Sequence, residues 1–389
     1  MRIFLLILLP ATVLADPDFH DLRLSQLRHV VVIFRHTDRA PLTTFPGDPN
    51  RHHRWPLGLG ELTSRGRANA YALGRWLRNR YADYLTDNPR EVYARSSPVP
   101  RCFDTAALVL YGLYPANREQ KEWRPDQTWQ PVPVTRLPDG ADLYAAVCMP
   151  RVRDAMRTLV TLEEPASLRS SSSGPTHFGT LGKVFRFVAK MTNLTGDASS
   201  QKFIVVAKIV DAMSVAREHG LPLPTWASRY WRELQWAKDK VMEGFSRSQM
   251  DHMGGALLKD VFARLRPVEQ QAHSLMRGGS DSTEVPSKLT LMAYHDINIG
   301  SILLGLNGTF EEWPPYGAAL LLEIFTLTST VMPDLYVRVL YKAGDVVSNL
   351  ALQGCSEPCS LQHFGELLQR KFKPVSRTAC GWSDQQPLL

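Results

Sequence analysis

Nowhere do the 389 residues contain an uninterrupted apolar run of about 18 residues beyond the start of the chain, the length a helix needs to cross a bilayer. No membrane anchor is therefore expected. Cysteine is sparse, with five in all, and no second CxxC or histidine pair stands at ligand spacing, so no metal site is expected. No lysine and arginine run is interleaved with aromatics, which argues against nucleic acid as a partner. Self-similarity at a fixed period is also missing, which excludes solenoids and propellers. What remains is a globular chain, 44% hydrophobic and 21% charged, sized for one large domain with an insertion or for two domains.

The opening MRIFLLILLPATVLADP has a basic Arg2, an apolar stretch from Ile3 to Leu9, and small residues at Val13 and Ala15. It reads as a signal peptide over residues 1–15, too short to span a bilayer stably. That context favours disulfides: Cys355 and Cys359 are spaced to close a small loop, Cys148 is assigned to Cys380, and Cys102 is left over. Sequons at Asn193 and Asn307 are candidate glycan sites. The formal charge of +7, from 45 basic and 38 acidic residues, favours anionic partners, although a solvated basic surface accounts for it equally well.

Val30 to Phe34 is an apolar run that reads as a strand buried on both faces. Leu62 to Tyr84 has helical spacing, EVYARSS reads as a second strand, and Phe103 to Tyr111 reads as a helix. Prolines interrupt Thr128 to Gly140, a serine-rich break follows at Ser167 to Pro175, and the signals are then helical to about Met250. Strands return with KLTLMAYH and with an expected hairpin, LLLEIFTL and LYVRVLYKAGD. The expected fold class is α/β, a mixed central sheet flanked by helices with an inserted all-helical cap domain. Residues 16–165 and 251–389 would form the α/β part and 166–250 the cap.

Charge gathers where these strands end: Arg35, His36 and Arg39 after the first, Arg95 on the second, His295 and Asp296 after KLTLMAY. Open α/β sheets bind ligands at the carboxyl ends of their strands. Three arginines and two histidines crowded there repel one another unless an anion joins them, and guanidinium forks match phosphate oxygens. Arg101 lies near Arg95, and either could instead serve a surface ion pair. In such a site a neutral histidine can attack phosphorus and a carboxyl can protonate the leaving oxygen. Arginines supply the positive charge, so no cofactor or metal is expected.

RHTDRAP, at 35–41, resembles the RHGxRxP signature of the histidine acid phosphatases, and AYHD resembles that family's second motif. TTFPGDP, YARSSPVPR, WQPVPV, PLPTW, PPYGAALLLEIF and GCSEPC also look like segments of its prostatic and lysosomal branch, over most of the mature chain. The resemblance implies His36 as phosphorylated nucleophile and Asp296 as acid, with Arg35, Arg39, Arg95 and His295 holding phosphate. It implies a secreted or lysosomal acid phosphatase acting on phosphomonoester small molecules or phosphoproteins, with a homodimer as the branch's habit. A phytase or a lipid-phosphate phosphatase would share the chemistry.

Thr37 stands where the motif has glycine, a residue that permits positive φ and close backbone approach. Either its hydroxyl donates to phosphate, or its bulk obstructs phosphate and leaves a secreted ligand-binding protein. Asp38 reads as solvated or salt-bridged and His52-His53 as a polar loop, all three outside the site. Trp226 and Trp231 fit helix packing.

Overall fold

The computed structural model describes residues 25–116, 126, 128–137, 144–169, 178–194, 200–270, 287–308, 312–327 and 334–382. The expected signal peptide and the threonines that complete both sequons lie outside the described residues.

The run from Val30 to Phe34 is the middle of β1 (Ser25–Arg35), and each of its five side chains is at most 1% exposed. It lies inside an eight-stranded sheet whose main path runs β3-β2-β4-β1-β5-β6-β7. Here β2 is Val92–Ser96, β3 Val134–Thr135, β4 Leu289–Tyr294, β5 Ala319–Leu327, β6 Leu335–Ala343 and β7 Val346–Asn349. A short β8 (Cys359–Ser360) pairs with β6. Strands β1 to β4 pair in parallel, and β5 to β7 continue antiparallel, so the sheet is mixed.

Alternation along β1 divides its side chains between two cores. Val30, Val32 and Phe34 join Leu289, Leu291 and Ala293 under α1 (Ser64–Arg80) and α2 (Pro100–Leu113). Val31 and Ile33 join Met292 and Tyr294 on the other face, under the helices at Asp296–Asn307 and Leu361–Lys371. Helices α1 and α2 touch through Gly74 and Gly112, where any side chain would run into the partner's backbone.

Between β3 and β4 every helix belongs to one stretch of chain: α3 (Met149–Leu159), α4 (Ala166–Arg169), α5 (Leu181–Met191), α6 (Ser200–Glu218), α7 (Thr225–Arg229), α8 (Trp231–Ser248), a π-helical turn Met250–Ala256 and α9 (Leu257–Ala263). The apolar faces of α3, α5, α6, α7 and α8, with Met253, form a third core, the cap, which also takes in Phe45 from the loop after β1, whereas Leu257, Leu258 and Val261 of α9 join the core on the Met292 face of the sheet. Trp226 and Trp231 pack against this core. The expected disulfides are both present: Cys148–Cys380 ties the start of α3 to the distal chain, and Cys355–Cys359 closes its small loop. Cys102 belongs to neither. Among the described residues, no helix is long and apolar enough to cross a membrane.

Candidate active site

Register decides what meets what. In the parallel pairings Arg35 stands opposite Tyr294, and Ser96 opposite Ala293. The chain leaving β1, β2 and β4 therefore emerges at one level, and His36, Ser97 and His295 come together there. The His36 N–H donates to the Tyr294 carbonyl at 3.0 Å, and Ser97 N–H to that of Ala293 at 2.9 Å. Above them opens a cavity of about 1110 Å³, floored by the strand ends and roofed by the cap.

His36 is 2% exposed. Its Nδ1 lies 3.0 Å from the Thr37 carbonyl oxygen, which can only accept, so Nδ1 carries the proton and Nε2 keeps its lone pair. Burial, then the charges of Arg35, His295, Arg101 and Arg39, hold its pKa well below the usual histidine value. Both effects favour the neutral ring. His295 packs edge-on at 5.6 Å between centroids, with Nε2 3.0 Å from the Ser97 hydroxyl. Burial and Arg101 push its pKa down to about 4 against the opposing pull of Asp296.

Asp296 begins the helix Asp296–Asn307. Its Oδ2 pairs with Arg35 at 2.9 Å and accepts from the Trp313 indole at 3.3 Å, and Oδ1 accepts from the Ile297 N–H at 2.9 Å. Burial alone would raise its pKa, but Arg35, Arg39 and His295 together outweigh burial and keep it below the ordinary aspartate value. Arg35 also donates to the Pro314 carbonyl at 2.6 Å and lies 4.1 Å above the Tyr316 ring. Arg39 reaches the cap, pairing with Asp211 of α6 at 2.9 Å.

Arg95 is not brought to this cavity. It lies within β2, where alternation directs it to the Met292 face of the sheet, and it pairs with Asp260 of α9 at 2.6 Å. Its guanidinium sits 5.4 Å from the centroid of the Tyr144 ring, which lines the cavity while Arg95 itself does not. Arg101 supplies the third cation instead, from the first turn of α2 just past the strand end. Strand alternation could have separated the two in the sequence, because a side chain inside a strand projects to a face and one beyond its end can enter the crevice. Among the described residues, Arg35, Arg39 and Arg101 each have a buried Nε–H without a protein hydrogen-bond partner, as does Arg95 outside the cavity.

Thr37 does neither of the things its chemistry suggested. Its φ is not in the left-handed region, and it does not line the cavity. Its hydroxyl donates to the Gly66 carbonyl at 2.8 Å, and its N–H donates to the Thr105 hydroxyl at 3.3 Å. The close approach here is made by Gly66 of α1, where a Cβ would overlap the Asp38 carbonyl. Asp38 is salt-bridged and buried: Arg65 holds it at 2.8 Å and His219 at 3.0 Å, with a further bond from Thr63. It thereby fastens the loop after β1 to α1 and to the end of α6. His52 and His53 are exposed and do not line the cavity.

Comparison with known proteins follows the same lines. The family model described as histidine phosphatase superfamily (branch 2) matches residues 26–342. Human lysosomal acid phosphatase is 30% identical over 389 residues, covering 94% of this chain and 84% of that protein. Human testicular acid phosphatase is 29% identical, covering 98% and 86%, and Bos taurus prostatic acid phosphatase is 27% identical, covering 95% and 90%. Among solved structures, Hafnia alvei phytase in complex with tartrate superposes with a TM-score of 0.58 at 17% identity, over 92% of this chain and 99% of that one, a likeness of fold.

Proposed function

The chain belongs to the histidine phosphatase superfamily (branch 2), and from that premise we propose that it hydrolyses phosphate monoesters through a phosphohistidine at His36. The phosphoryl oxygens are held by Arg35, Arg39, Arg101 and His295, which answer the charge spread over them in the transition state. Nε2 of His36 attacks phosphorus, forming the P–N bond as the P–O ester bond breaks, and the Asp296 carboxyl gives its proton to the departing oxygen. In the second half Asp296, now a carboxylate, takes a proton from water as that water attacks phosphorus. The P–N bond breaks, and phosphate and neutral His36 are regenerated.

One observation carries the reading: the backbone bond at Nδ1 leaves Nε2 of His36 with its lone pair in the cavity that Arg35, Arg39, Arg101 and His295 also line. Arg35 and Arg39 hold the Asp296 carboxyl below the ordinary aspartate value. A bound phosphate shares the positive charge of Arg35 and Arg39, which relaxes their hold and lets Asp296 take up its proton with the substrate. Site of action is the second part of the proposal. Two disulfides and the lysosomal, testicular and prostatic acid phosphatase relatives support the extracellular medium or the lysosomal lumen.

The test is trapping. Substrate labelled in the phosphoryl group, quenched in alkali, is expected to leave label on the unmodified chain and none on His36→Ala of equal folded content. Label retained by the alanine variant overturns the assignment.

A further inference from the structure

We infer that Asp211 makes this site reject leaving groups that carry an anion next to the scissile ester. The inference rests on the phosphoryl-transfer reading and adds a substrate class to it.

The phosphoryl group occupies the arginine floor, so the leaving group has only the space beneath the cap. One face of α6 forms that roof: Ile204, Ala207, Lys208, Asp211, Val215 and Glu218 recur at helical spacing and line the cavity. Asp211 is the member that reaches the floor, with Oδ2 2.9 Å from Arg39 and its side chain still 24% exposed toward the cavity. Once phosphate binds Arg39, that guanidinium is shared between two anions. The Asp211 carboxylate then acts on whatever is attached to the ester oxygen.

The rest of the roof does not compensate. Among the described lining residues above the floor, Asp211, Glu218, Asp239, Glu243 and Glu312 face Lys208, Lys238 and Lys240. Burial pushes the Asp239 carboxyl up, and without it four carboxylates still outnumber three lysines. Lys240 is engaged by Glu243 at 2.8 Å. Arg65, also at the wall, is engaged by Asp38 at 2.8 Å and lies 3.8 Å from Glu218. Among the described lining residues no second cluster of cations matches the floor, so a second phosphate or a carboxylate on the substrate finds no counter-charge like the floor's and faces Asp211. An anion about 6 Å from Asp211, after allowance for solvent, loses on the order of tenfold in binding, and a cation gains.

Phosphoethanolamine and phosphoglycolate are nearly equal in size and opposite in charge on the leaving group. Their kcat/KM ratio should favour phosphoethanolamine in the unmodified chain. Asp211→Asn should shrink that ratio about tenfold, whereas Asp211→Glu should keep it. Loosening of Arg39 or a loss of folded enzyme affects both substrates alike and cancels in the ratio. The preference in the unmodified chain should also contract as ionic strength rises. A ratio unchanged in the asparagine variant, or unaffected by salt, overturns the role of Asp211 while phosphatase activity stands. No turnover of para-nitrophenyl phosphate by the unmodified chain overturns the phosphatase reading, and this inference with it.

Discussion

Replacing Arg101 and Arg95 separately, each by methionine, should damage two different properties of the molecule. Arg101 lines the cavity with His36 and His295. A guanidinium about 4 Å from a phosphoryl charge at an effective dielectric near 20 is worth about 4 kcal/mol. Charge-assisted hydrogen bonds measured by deletion give about 1.5–3 kcal/mol. Taking about 2–3 kcal/mol, Arg101→Met should lower kcat/KM for para-nitrophenyl phosphate about 30- to 150-fold. The loss should also move the acid limb of the profile. Arg101 lowers the pKa of both His36 and His295, so without it both rise, and His36 is protonated and disabled at a higher pH. Arg95→Met acts elsewhere. It strips a 1% exposed cation from Asp260, which is 19% exposed and keeps Arg264 at 3.4 Å. The expected cost is about 2 kcal/mol of folding stability, toward the low side for a buried pair because Asp260 retains water and a second partner. Activity per folded molecule should stay within about threefold. Steady-state kinetics beside urea unfolding of both variants decides the matter: if Arg95→Met loses phosphate affinity and Arg101→Met does not, the assignment of the third arginine is wrong.

Asp296→Asn should cut kcat about 10²- to 10⁴-fold for an alkyl phosphate and much less for para-nitrophenyl phosphate, whose leaving oxygen scarcely needs a proton; equal losses on both would remove Asp296 from the role of acid. Thr37→Gly should cost about 1 kcal/mol of stability through the lost bond to the Gly66 carbonyl and change turnover by no more than about threefold, so a gain of tenfold or more would show that threonine impedes the site. Gly66→Ala should fold poorly, because its Cβ would overlap the Asp38 carbonyl; thermal melting indistinguishable from the unmodified chain would contradict that packing. His29 donates from Nδ1 to the Ser287 carbonyl and sits 3.0 Å from the Thr290 hydroxyl, and its burial lowers its pKa from 6.5 to about 4. Its contribution is whole above pH 6.5 and is lost as pH falls to about 4, because the unfolded chain takes up the proton first; about 3 kcal/mol is at stake. His29→Gln should flatten the stability profile over that interval, and an unaltered slope in urea titrations at successive pH values would count against it.

The sheet was readable where burial on both faces leaves one interpretation. An apolar run such as Val30 to Phe34 cannot face water, and charged residues straight after it and after KLTLMAY mark the carboxyl ends of strands. That reasoning brought Arg35, His36, Arg39, His295 and Asp296 into one crevice before any coordinates. Arg95 is the exception: the strand it was expected to end runs on to Ser96, so its side chain projects to a face of the sheet instead of into the crevice. A single step of alternation separates an arginine under α9 from one in the cavity. Asp38 held a different lesson. Solvation and a salt bridge are equally compatible with its sequence neighbourhood; its partners Arg65 and His219 come from α1 and from the end of α6, and no local pattern announces a contact between parts so distant in the chain. Asp211 and Tyr316 escaped for the same reason. The geometry of Thr37 was out of reach too, because the direction of its side chain is set by the Gly66 carbonyl that its hydroxyl reaches, 29 residues further along the chain.

The pairing of β1 with β4 and β5 also sets a schedule for the molecule. Both neighbours of β1 are translated long after it, beyond the whole cap, and until they arrive β1 has two unpaired backbone edges and two apolar faces, of the kind that recruits chaperones or aggregates. His36 is made early and His295 late, so no amino-terminal fragment can assemble the crevice. During synthesis the chain is inert until it is nearly complete, and the appearance of turnover reports that its two distant parts have found each other.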